Sequence, residues 1–322
     1  MGLTEGSLQE TARPAPLKGV YTIMPTPFTR SGDLDEESLA RLTRMLAACG
    51  VDGVTVLGFL GEAHKLSEAE QDIVVTITKQ AAGDRMKVFA GASSGGVRVS
   101  ALRGVRFLEL GADGLMIAPV SPQEDIVVAQ FGELDDALTG SGGRVPVIVH
   151  DYPAATGVKL TVRTISRLHE EVASVTTVKL EDAPTPSKVE ALKEASPGLA
   201  VLGGLGGQYL VEELGRGADG VMTGVSYPEL LTAVVRGSAS GDEARKRSAV
   251  ADYRSAASFL TFEFQPAIGL AIRKEVYRRR GAIQTSVVRA PGLQLDVATA
   301  RELDAQLERL YAARPDLTKA PR

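Results

Sequence analysis

Eight short apolar segments alternate with helical patterns between Gly19 and Thr223, and this alternation restricts the fold more than any other feature of the chain. A helical segment separates each apolar segment from the next, which predicts parallel strands joined by crossover helices. Eight such units predict a closed (β/α)8 TIM barrel of the α/β class. The predicted strands are Gly19–Met24, Val51–Leu57, Met86–Ala90, Gly114–Ala118, Val145–Val149, Val175–Lys179, Leu199–Leu202 and Gly220–Thr223.

A repeated junction supports the barrel. Gly50-Val-Asp-Gly53, Gly111-Ala-Asp-Gly114 and Gly217-Ala-Asp-Gly220 each lie between a helical pattern and an apolar segment. The first glycine suits the end of a helix, where a positive φ is common, and the second opens the next strand. A recurring junction is typical of a fold built from repeated units.

The predicted organisation has three parts. Residues 1–16 are polar and proline-containing and predict a flexible N-terminal tail, and residues 17–227 form the barrel. Residues 228–322 are predicted to form a C-terminal helical extension that completes the barrel. Its predicted helices include Arg245–Leu260, Pro266–Arg280 and Val297–Leu310.

Composition narrows the classes of partner. The net charge is −4, and acidic and basic residues are interspersed, so we expect neither a nucleic-acid nor a membrane partner. Cys49 is the only cysteine, which excludes an internal disulfide. No apolar run is long enough to span a bilayer. These observations predict a cytoplasmic enzyme with a small-molecule substrate.

Lys179 ends the apolar segment Val175–Lys179. Burying an ammonium group costs several kcal/mol unless it is paired or neutralised. A buried lysine side chain therefore loses its proton more readily, which makes it a usable nucleophile. We interpret Lys179 as the residue that forms a Schiff base with a carbonyl substrate. The open alternative is a strand-end lysine that reaches solvent.

Active sites of such barrels lie at the C-terminal ends of the strands. Adjacent strands are about 5 Å apart, so we expect His150 to lie beside Lys179. His150 is the candidate acid/base, because an imidazole pKa of about 6.5 suits both proton donation and proton acceptance. Tyr152 is expected to point away from His150 and is the weaker catalytic candidate. Glu181 and Asp182 are interpreted as possible caps of the following helix. Further substrate-binding candidates at the strand ends are Gly58, Phe59, Leu60, Gly61, Glu62, Tyr152, Gly203 and Met222.

Two glycine-rich segments could bind anions. The turn Gly58–Gly61 can present backbone N–H groups to a substrate carboxylate, because glycine permits close approach. The segment Gly203–Gly207 could instead hold a phosphate, as many barrels do there. Two interpretations of Glu62 are open: it supports the glycine turn, or it contacts substrate. Neither segment matches a dinucleotide fingerprint, so no nicotinamide cofactor is expected.

Taken together, these residues resemble the dihydrodipicolinate synthase/N-acetylneuraminate lyase family. The resemblance runs from Gly19 to about Leu310. It rests on Lys179 and on the motifs Pro25-Thr-Pro-Phe28, Gly58-x-x-Gly-Glu62, Leu66-Ser67, Asp151-x-Pro153 and Thr156-Gly157. It implies a Schiff base between Lys179 and pyruvate or another 2-oxo acid, with no metal and no organic cofactor. It also implies a homo-oligomer, a dimer or tetramer.

The sequence departs from that family at several positions. Phe59 and Leu60 stand where the family usually has two hydroxyl residues, and His150 replaces its strand-five tyrosine. The arginine that normally follows the Asp-x-Pro motif is Ala155. These differences disfavour a lysine-biosynthetic synthase. The segments Asp151–Gly157 and Gln265–Ala271 look closer to the branch that dehydrates 2-keto-3-deoxy sugar acids.

The leading hypothesis is therefore a lyase that forms a Schiff base with a 2-oxo acid, either a dehydratase or a retro-aldolase. A condensing synthase remains an alternative, as does a non-catalytic 2-oxo acid-binding paralogue in which Phe59 and Leu60 have removed the polar relay. A third alternative is a metal-dependent aldolase with Glu62, His64, His150 and Asp151 as ligands.

Overall fold

The computed structural model of the protein describes residues 12–140 and 143–319. Residues 1–11 of the predicted tail lie outside the described residues. The tail's later part contacts the barrel, since Arg13 Nη1 donates to the backbone carbonyl of His169 at 2.7 Å. In the described ranges, no helix combines the length and the apolar character needed to cross a bilayer.

Eight parallel strands close into a barrel in chain order, which confirms the predicted fold class. The fifth strand continues to Asp151 and the sixth to Leu180, so His150 and Lys179 both lie within regular strand structure. The strands are β1 Gly19–Ile23, β2 Gly53–Val56, β3 Lys87–Gly91, β4 Gly114–Ile117, β5 Val147–Asp151, β6 Val175–Leu180, β7 Ala200–Gly203 and β8 Gly220–Thr223.

Helices surround the barrel and extend beyond it. Those that connect the strands are α1 Glu36–Ala48, α2 Glu68–Ala82, α3 Val97–Glu109, α4 Glu124–Thr139, the short α5 Pro153–Thr156, α6 Val162–Glu171, α7 Thr185–Ala195 and α8 Leu210–Gly215. The C-terminal helices are α9 Pro228–Ala239, α10 Glu243–Ser255, α11 Ala257–Glu263, α12 Gly269–Arg279 and α13 Val297–Ala313.

Two of the predicted C-terminal helices are divided or shortened. The predicted helix Arg245–Leu260 separates into α10 and α11 at Ala256, where ψ is 0°. The helix predicted to start at Pro266 begins only at Gly269. Ala267 adopts a positive φ of 64°, which a regular right-handed helix cannot contain.

The repeated glycine junction has the geometry that its sequence predicts. Gly50, Gly111 and Gly217 have φ values of +76°, +98° and +95°. These values favour glycine because a Cβ atom would meet the backbone. The second glycine of each junction begins β2, β4 or β8.

The interior of the barrel is a packed core below an open mouth. Its inward-facing side chains form one apolar cluster, and the side chains between the strands and the helices form another. Met222, a predicted substrate-binding residue, belongs to this inner cluster and is fully buried. Only the C-terminal end of the barrel is therefore left to hold a substrate. The inner cluster comprises Leu17, Tyr21, Ile23, Phe89, Met116, Ile148, Leu202 and Met222.

Candidate functional site

Strand alternation brings three ionisable side chains to one point at the barrel mouth. The register of β5 against β6 pairs His150 with Lys179. Ile148 belongs to the inner core, and side chains two residues apart share one face of a strand, so His150 also points inward. By the same alternation Glu181 follows Lys179 on the inner face. Glu181 was interpreted as a possible helix cap, but α7 has Pro184 at its N-cap with no side-chain cap.

The three groups form a compact triangle. Lys179 Nζ lies 3.0 Å from His150 Nε2 and 2.8 Å from Glu181 Oε2. His150 Nε2 lies 2.8 Å from the same carboxylate oxygen. The other oxygen, Oε1, accepts a hydrogen bond from the backbone N–H of Leu205 at 2.9 Å. All three side chains are buried, so the contacts within the triangle replace the hydrogen bonds that water would otherwise supply.

Burial and charge set the protonation of this triangle. Burial, reinforced by the charge of Lys179, lowers the pKa of His150 to about 4, so the imidazole is neutral near pH 7. Burial pushes the pKa of Glu181 upward, but Lys179 and the hydrogen bond from His150 outweigh it and hold that pKa well below its usual range. The site therefore holds a carboxylate and a neutral imidazole beside the lysine amine. The pKa of about 6.5 expected for His150 from the sequence is therefore too high.

Tyr152 lies beside His150, so the expectation that it points away is wrong. Its ring stacks on the imidazole with centroids 5.4 Å apart, and Lys179 Nζ is 5.9 Å from its centroid. The chain stays extended from His150 to Tyr152, and residues two apart in an extended chain point to the same side. Phe59 joins the cluster with its ring 6.0 Å from both others. These rings shield one side of the lysine.

A cavity of about 530 Å³ opens above Lys179. A cavity of this size belongs to the range that small-molecule ligands occupy. Besides His150, Lys179 and Glu181, its wall includes Phe59, Leu60, Tyr152, Thr223, Phe264 and Arg273. Arg273 comes from α12, in the C-terminal extension, and no sequence pattern predicts it as a site residue.

The glycine turn forms one wall of the site. Phe59 and Leu60 line the cavity, and Gly58 lines a smaller neighbouring cavity of about 300 Å³. Thr26 Oγ1 donates to the carbonyl of Gly61 at 2.6 Å and fixes the turn. Within the described residues, the backbone amides of Phe59 and Leu60 donate to no carbonyl. They are therefore available for a substrate carboxylate.

Glu62 supports this turn from behind and lies outside the cavity wall. It is 1% exposed, with φ of 54°, and its Oε1 accepts from Lys274 Nζ at 2.5 Å. Its Oε2 accepts from Lys65 Nζ at 2.9 Å and from the backbone N–H of Arg289 at 3.0 Å. Glu62 thus connects the turn to the C-terminal extension, as one of its two open interpretations expected.

The glycine segment after β7 is filled by acidic side chains. A Cβ atom at Gly203 would lie 1.8 Å from Glu213 Oε2, and one at Gly204 would lie 2.2 Å from Glu181 Cγ. Gly203 therefore allows Glu213 to approach the strand, and it does not line the cavity. Two carboxyl groups beside these backbone atoms make the segment a poor phosphate site.

The ligands of the metal alternative do not converge. Asp151 points away from the barrel axis and pairs with Lys188 Nζ at 2.5 Å. Glu62 is engaged by two lysines, and His64 lines only the smaller cavity. Across the described ranges, no cluster of three or more His, Cys, Asp or Glu side chains could bind an ion.

Comparison with known proteins places this geometry in a family. The sequence model of the dihydrodipicolinate synthetase family matches residues 16–310. A 4-hydroxy-tetrahydrodipicolinate synthase from Streptomyces coelicolor is 33% identical over 238 residues, covering 72% of this chain and 74% of that protein. An L-2-keto-3-deoxyarabonate dehydratase from Azospirillum brasilense is 27% identical over 303 residues, covering 91% and 94%.

A solved structure agrees with these sequence matches. The crystal structure of dihydrodipicolinate synthase from Rhodopseudomonas palustris has a TM-score of 0.86 against this chain at 33% identity, and the match covers 93% of this chain and 100% of that one. The chain therefore belongs to the dihydrodipicolinate synthetase family.

Proposed function

We propose that this chain is a lyase that binds a 2-oxo acid as a Schiff base on Lys179, and that it dehydrates or cleaves a 2-keto-3-deoxy sugar acid. The observation that carries the proposal is the position of Lys179 Nζ. This nitrogen lies in the wall of the cavity, within 3.0 Å of both a neutral imidazole and a carboxylate. That arrangement supports an amine nucleophile with an adjacent proton acceptor.

The first step forms the imine. A proton leaves Lys179 Nζ for the His150–Glu181 pair, and the freed amine attacks the C2 carbonyl carbon. The carbonyl oxygen then takes up protons and departs as water, which leaves an iminium ion. The backbone N–H groups of the turn at Phe59 and Leu60 would hold the C1 carboxylate beside it.

The second step uses the electron demand of the iminium ion. His150 is neutral near pH 7 and can accept the C3 proton, which gives an enamine. For dehydration, the enamine expels the C4 hydroxyl, which leaves as water after protonation. For retro-aldol cleavage, the base instead removes the proton of the C4 hydroxyl of the iminium ion, and the C3–C4 bond breaks to give an aldehyde and the enamine. The proton taken from the hydroxyl then returns to C3 and converts the enamine into the imine. Hydrolysis of the imine returns the free lysine in both cases, without a metal or an organic cofactor.

One feature favours dehydration over the synthase reaction. Phe59, Leu60 and His150 occupy positions where the family resemblance leads us to expect hydroxyl groups. A dehydratase relative aligns with 91% of the chain, but synthases of the family align as fully. The synthase remains the second candidate, because a relative of that name is 33% identical. A homo-oligomeric state stays a prediction.

Borohydride reduction with pyruvate tests the covalent step. We expect a mass increase on the wild-type protein that maps to Lys179 and is absent from Lys179→Ala. Lys87→Ala is the matched control, since Lys87 is exposed at the opposite end of the barrel. No adduct with any 2-oxo acid would contradict the proposal.

A panel of 2-keto-3-deoxy acids then separates the reactions. Release of pyruvate identifies the retro-aldolase, and formation of a semialdehyde product identifies the dehydratase. A synthase assay with pyruvate and the second substrate of the named relatives tests the alternative. Calorimetric binding of 2-oxo acids without any turnover would identify a non-catalytic paralogue.

A further inference from the structure

A buried arginine lies in the wall of the Lys179 cavity and has no role in the steps above. Arg273 is on α12, is 5% exposed and lines the cavity. Its Nε and Nη2 atoms are fully buried, and no protein atom of the described residues accepts a hydrogen bond from either. Buried polar groups normally find a partner, so this arginine requires an explanation.

Glu263, the acidic residue with the largest electrostatic effect on Arg273, forms its hydrogen bonds with another residue. Glu263 acts on the guanidinium through space, but the two form no ion pair in the described part of the chain. Instead, both carboxylate oxygens of Glu263 accept from the backbone N–H of Ser226, and Oε2 accepts from its hydroxyl at 2.6 Å. A buried charge left without direct partners costs several kcal/mol, which a bound anion would offset.

The unpartnered atoms have the geometry of an anion receptor. Nε and Nη2 form one edge of the planar guanidinium, and their two N–H bonds point the same way. Such an edge matches the two oxygens of a carboxylate and binds them in parallel. Neither atom has accessible surface in the unliganded protein, so binding requires a rotation of the side chain that brings this edge to the cavity. The ring of Phe264, whose centroid is 5.8 Å from the guanidinium carbon, supports the group in this position.

The charged side chains of the cavity wall also single out Arg273. The described cationic side chains in its wall are Lys179 and Arg273, and His150 is neutral near pH 7. Glu181 is already in contact with Lys179, so the charge of Arg273 is the one left without a contacting partner. A cavity of about 530 Å³ is also larger than a three-carbon acid fills.

We propose that Arg273 binds a second carboxylate at the far end of the substrate, so that the enzyme acts on a dicarboxylic 2-oxo acid. This inference rests on the proposed function, because Lys179 fixes the position of C2 and the glycine turn holds the C1 carboxylate. Both ends of the substrate are then anchored, and the bonds that react lie between them.

Three probes test the inference on the full chain. They are pyruvate, 2-oxoglutarate and 2-oxopentanoate, which matches 2-oxoglutarate in chain length but lacks the second carboxylate. The measurement is the concentration that gives half-maximal borohydride-trapped adduct. We expect the wild-type protein to need about 10- to 100-fold less 2-oxoglutarate than 2-oxopentanoate. Equal requirements would overturn the proposal without any variant.

Variants then assign the preference to the guanidinium. Arg273→Met should raise the 2-oxoglutarate requirement about 10- to 100-fold and the pyruvate requirement less than about 3-fold. Arg273→Lys keeps the charge without the paired N–H groups and should recover part of the loss. Arg98→Met is the exposed control. An equal loss for pyruvate and 2-oxoglutarate would assign Arg273 to the C1 carboxylate and refute the inference.

Failure of the proposed function would be recognised separately. If no 2-oxo acid gives an adduct with the wild-type protein, the Schiff-base proposal is wrong. Calorimetric titration with glutarate, which has no ketone, still tests the anion site. Binding that Arg273→Met weakens about 10-fold or more supports the site. Equal affinities of wild type and variant, or no binding to either, overturn it.

Discussion

Replacing Lys274 with methionine should destabilise the protein more than any exposed lysine substitution. Lys274 is fully buried, and its Nζ donates to Glu62 Oε1 at 2.5 Å and to the carbonyl of Val287 at 2.8 Å. Burial lowers the pKa of Lys274 to about 8, although Glu62 opposes this. The variant leaves Glu62, which is 1% exposed, without this counterion.

The structure sets the size of the effect. The attraction between unit charges at this separation is about 7 kcal/mol in an effective dielectric constant of 20. Methionine removes the ammonium group and with it a desolvation cost of several kcal/mol. Lys65 and the backbone N–H of Arg289 still contact Glu62 Oε2. The free energy of unfolding should therefore fall by about 3 kcal/mol, which is the lower end of the range for removing one partner of a buried ion pair.

Urea unfolding at pH 7, followed by circular dichroism, measures the change. We expect a lower midpoint with an unchanged slope, because the surface exposed on unfolding is unchanged. Lys246→Met is the control, since Lys246 is half exposed and 3.9 Å from Glu243, and it should change stability by less than about 0.5 kcal/mol. The double variant Lys274→Met with Glu62→Gln should recover most of the loss.

Strictly additive changes in the single and double variants would refute this explanation, because Glu62 would then not be the carboxylate that loses its counterion.

The variant Lys274→Met also tests the link between Glu62 and the site. Glu62 fixes the turn at Gly58–Gly61, so half-maximal adduct with pyruvate should require more ligand, while Lys179 remains the modified residue.

The pH dependence of stability tests the environment of His150. Its pKa is about 4 in the folded protein and about 6.5 unfolded, so the unfolded state binds more protons between these values. Neutral, buried His150 therefore contributes about 3 kcal/mol to the free energy of unfolding. This contribution is fully present above pH 6.5 and is lost as pH falls to 4. Urea midpoints of wild type and His150→Asn should therefore diverge over this range, and parallel curves would contradict the assigned environment. Glu181→Gln should lower turnover of the accepted substrate about 10²- to 10⁴-fold while pyruvate can still be trapped on Lys179, because a proton acceptor is lost but the amine remains. Unchanged turnover in a steady-state assay would remove Glu181 from the proposed mechanism.

The sequence was sufficient for the barrel and for the central pair of the site. Strand alternation, helical spacing and the repeated glycine junction are local patterns, and each follows from backbone geometry over a few residues. The rule for strand ends then identified His150 and Lys179, which the register of β5 and β6 pairs directly. The same rule could also have identified Glu181, because it follows Lys179 by two residues. Its proximity to a helix start favoured the capping interpretation instead.

Tertiary structure decided which side chains turn toward the cavity and which charges meet. Glu62 belongs to a site motif, yet its left-handed backbone conformation and Lys274 direct its carboxylate away from the cavity. Arg273 lies in the C-terminal extension and reaches the barrel mouth only because α12 packs there. Partners that are far apart in sequence leave no periodic signal, since their contact depends on the packing of whole elements. The sequence by itself therefore determined the barrel and the position of Lys179, whereas only the folded chain determined the carboxylate and the guanidinium that surround it.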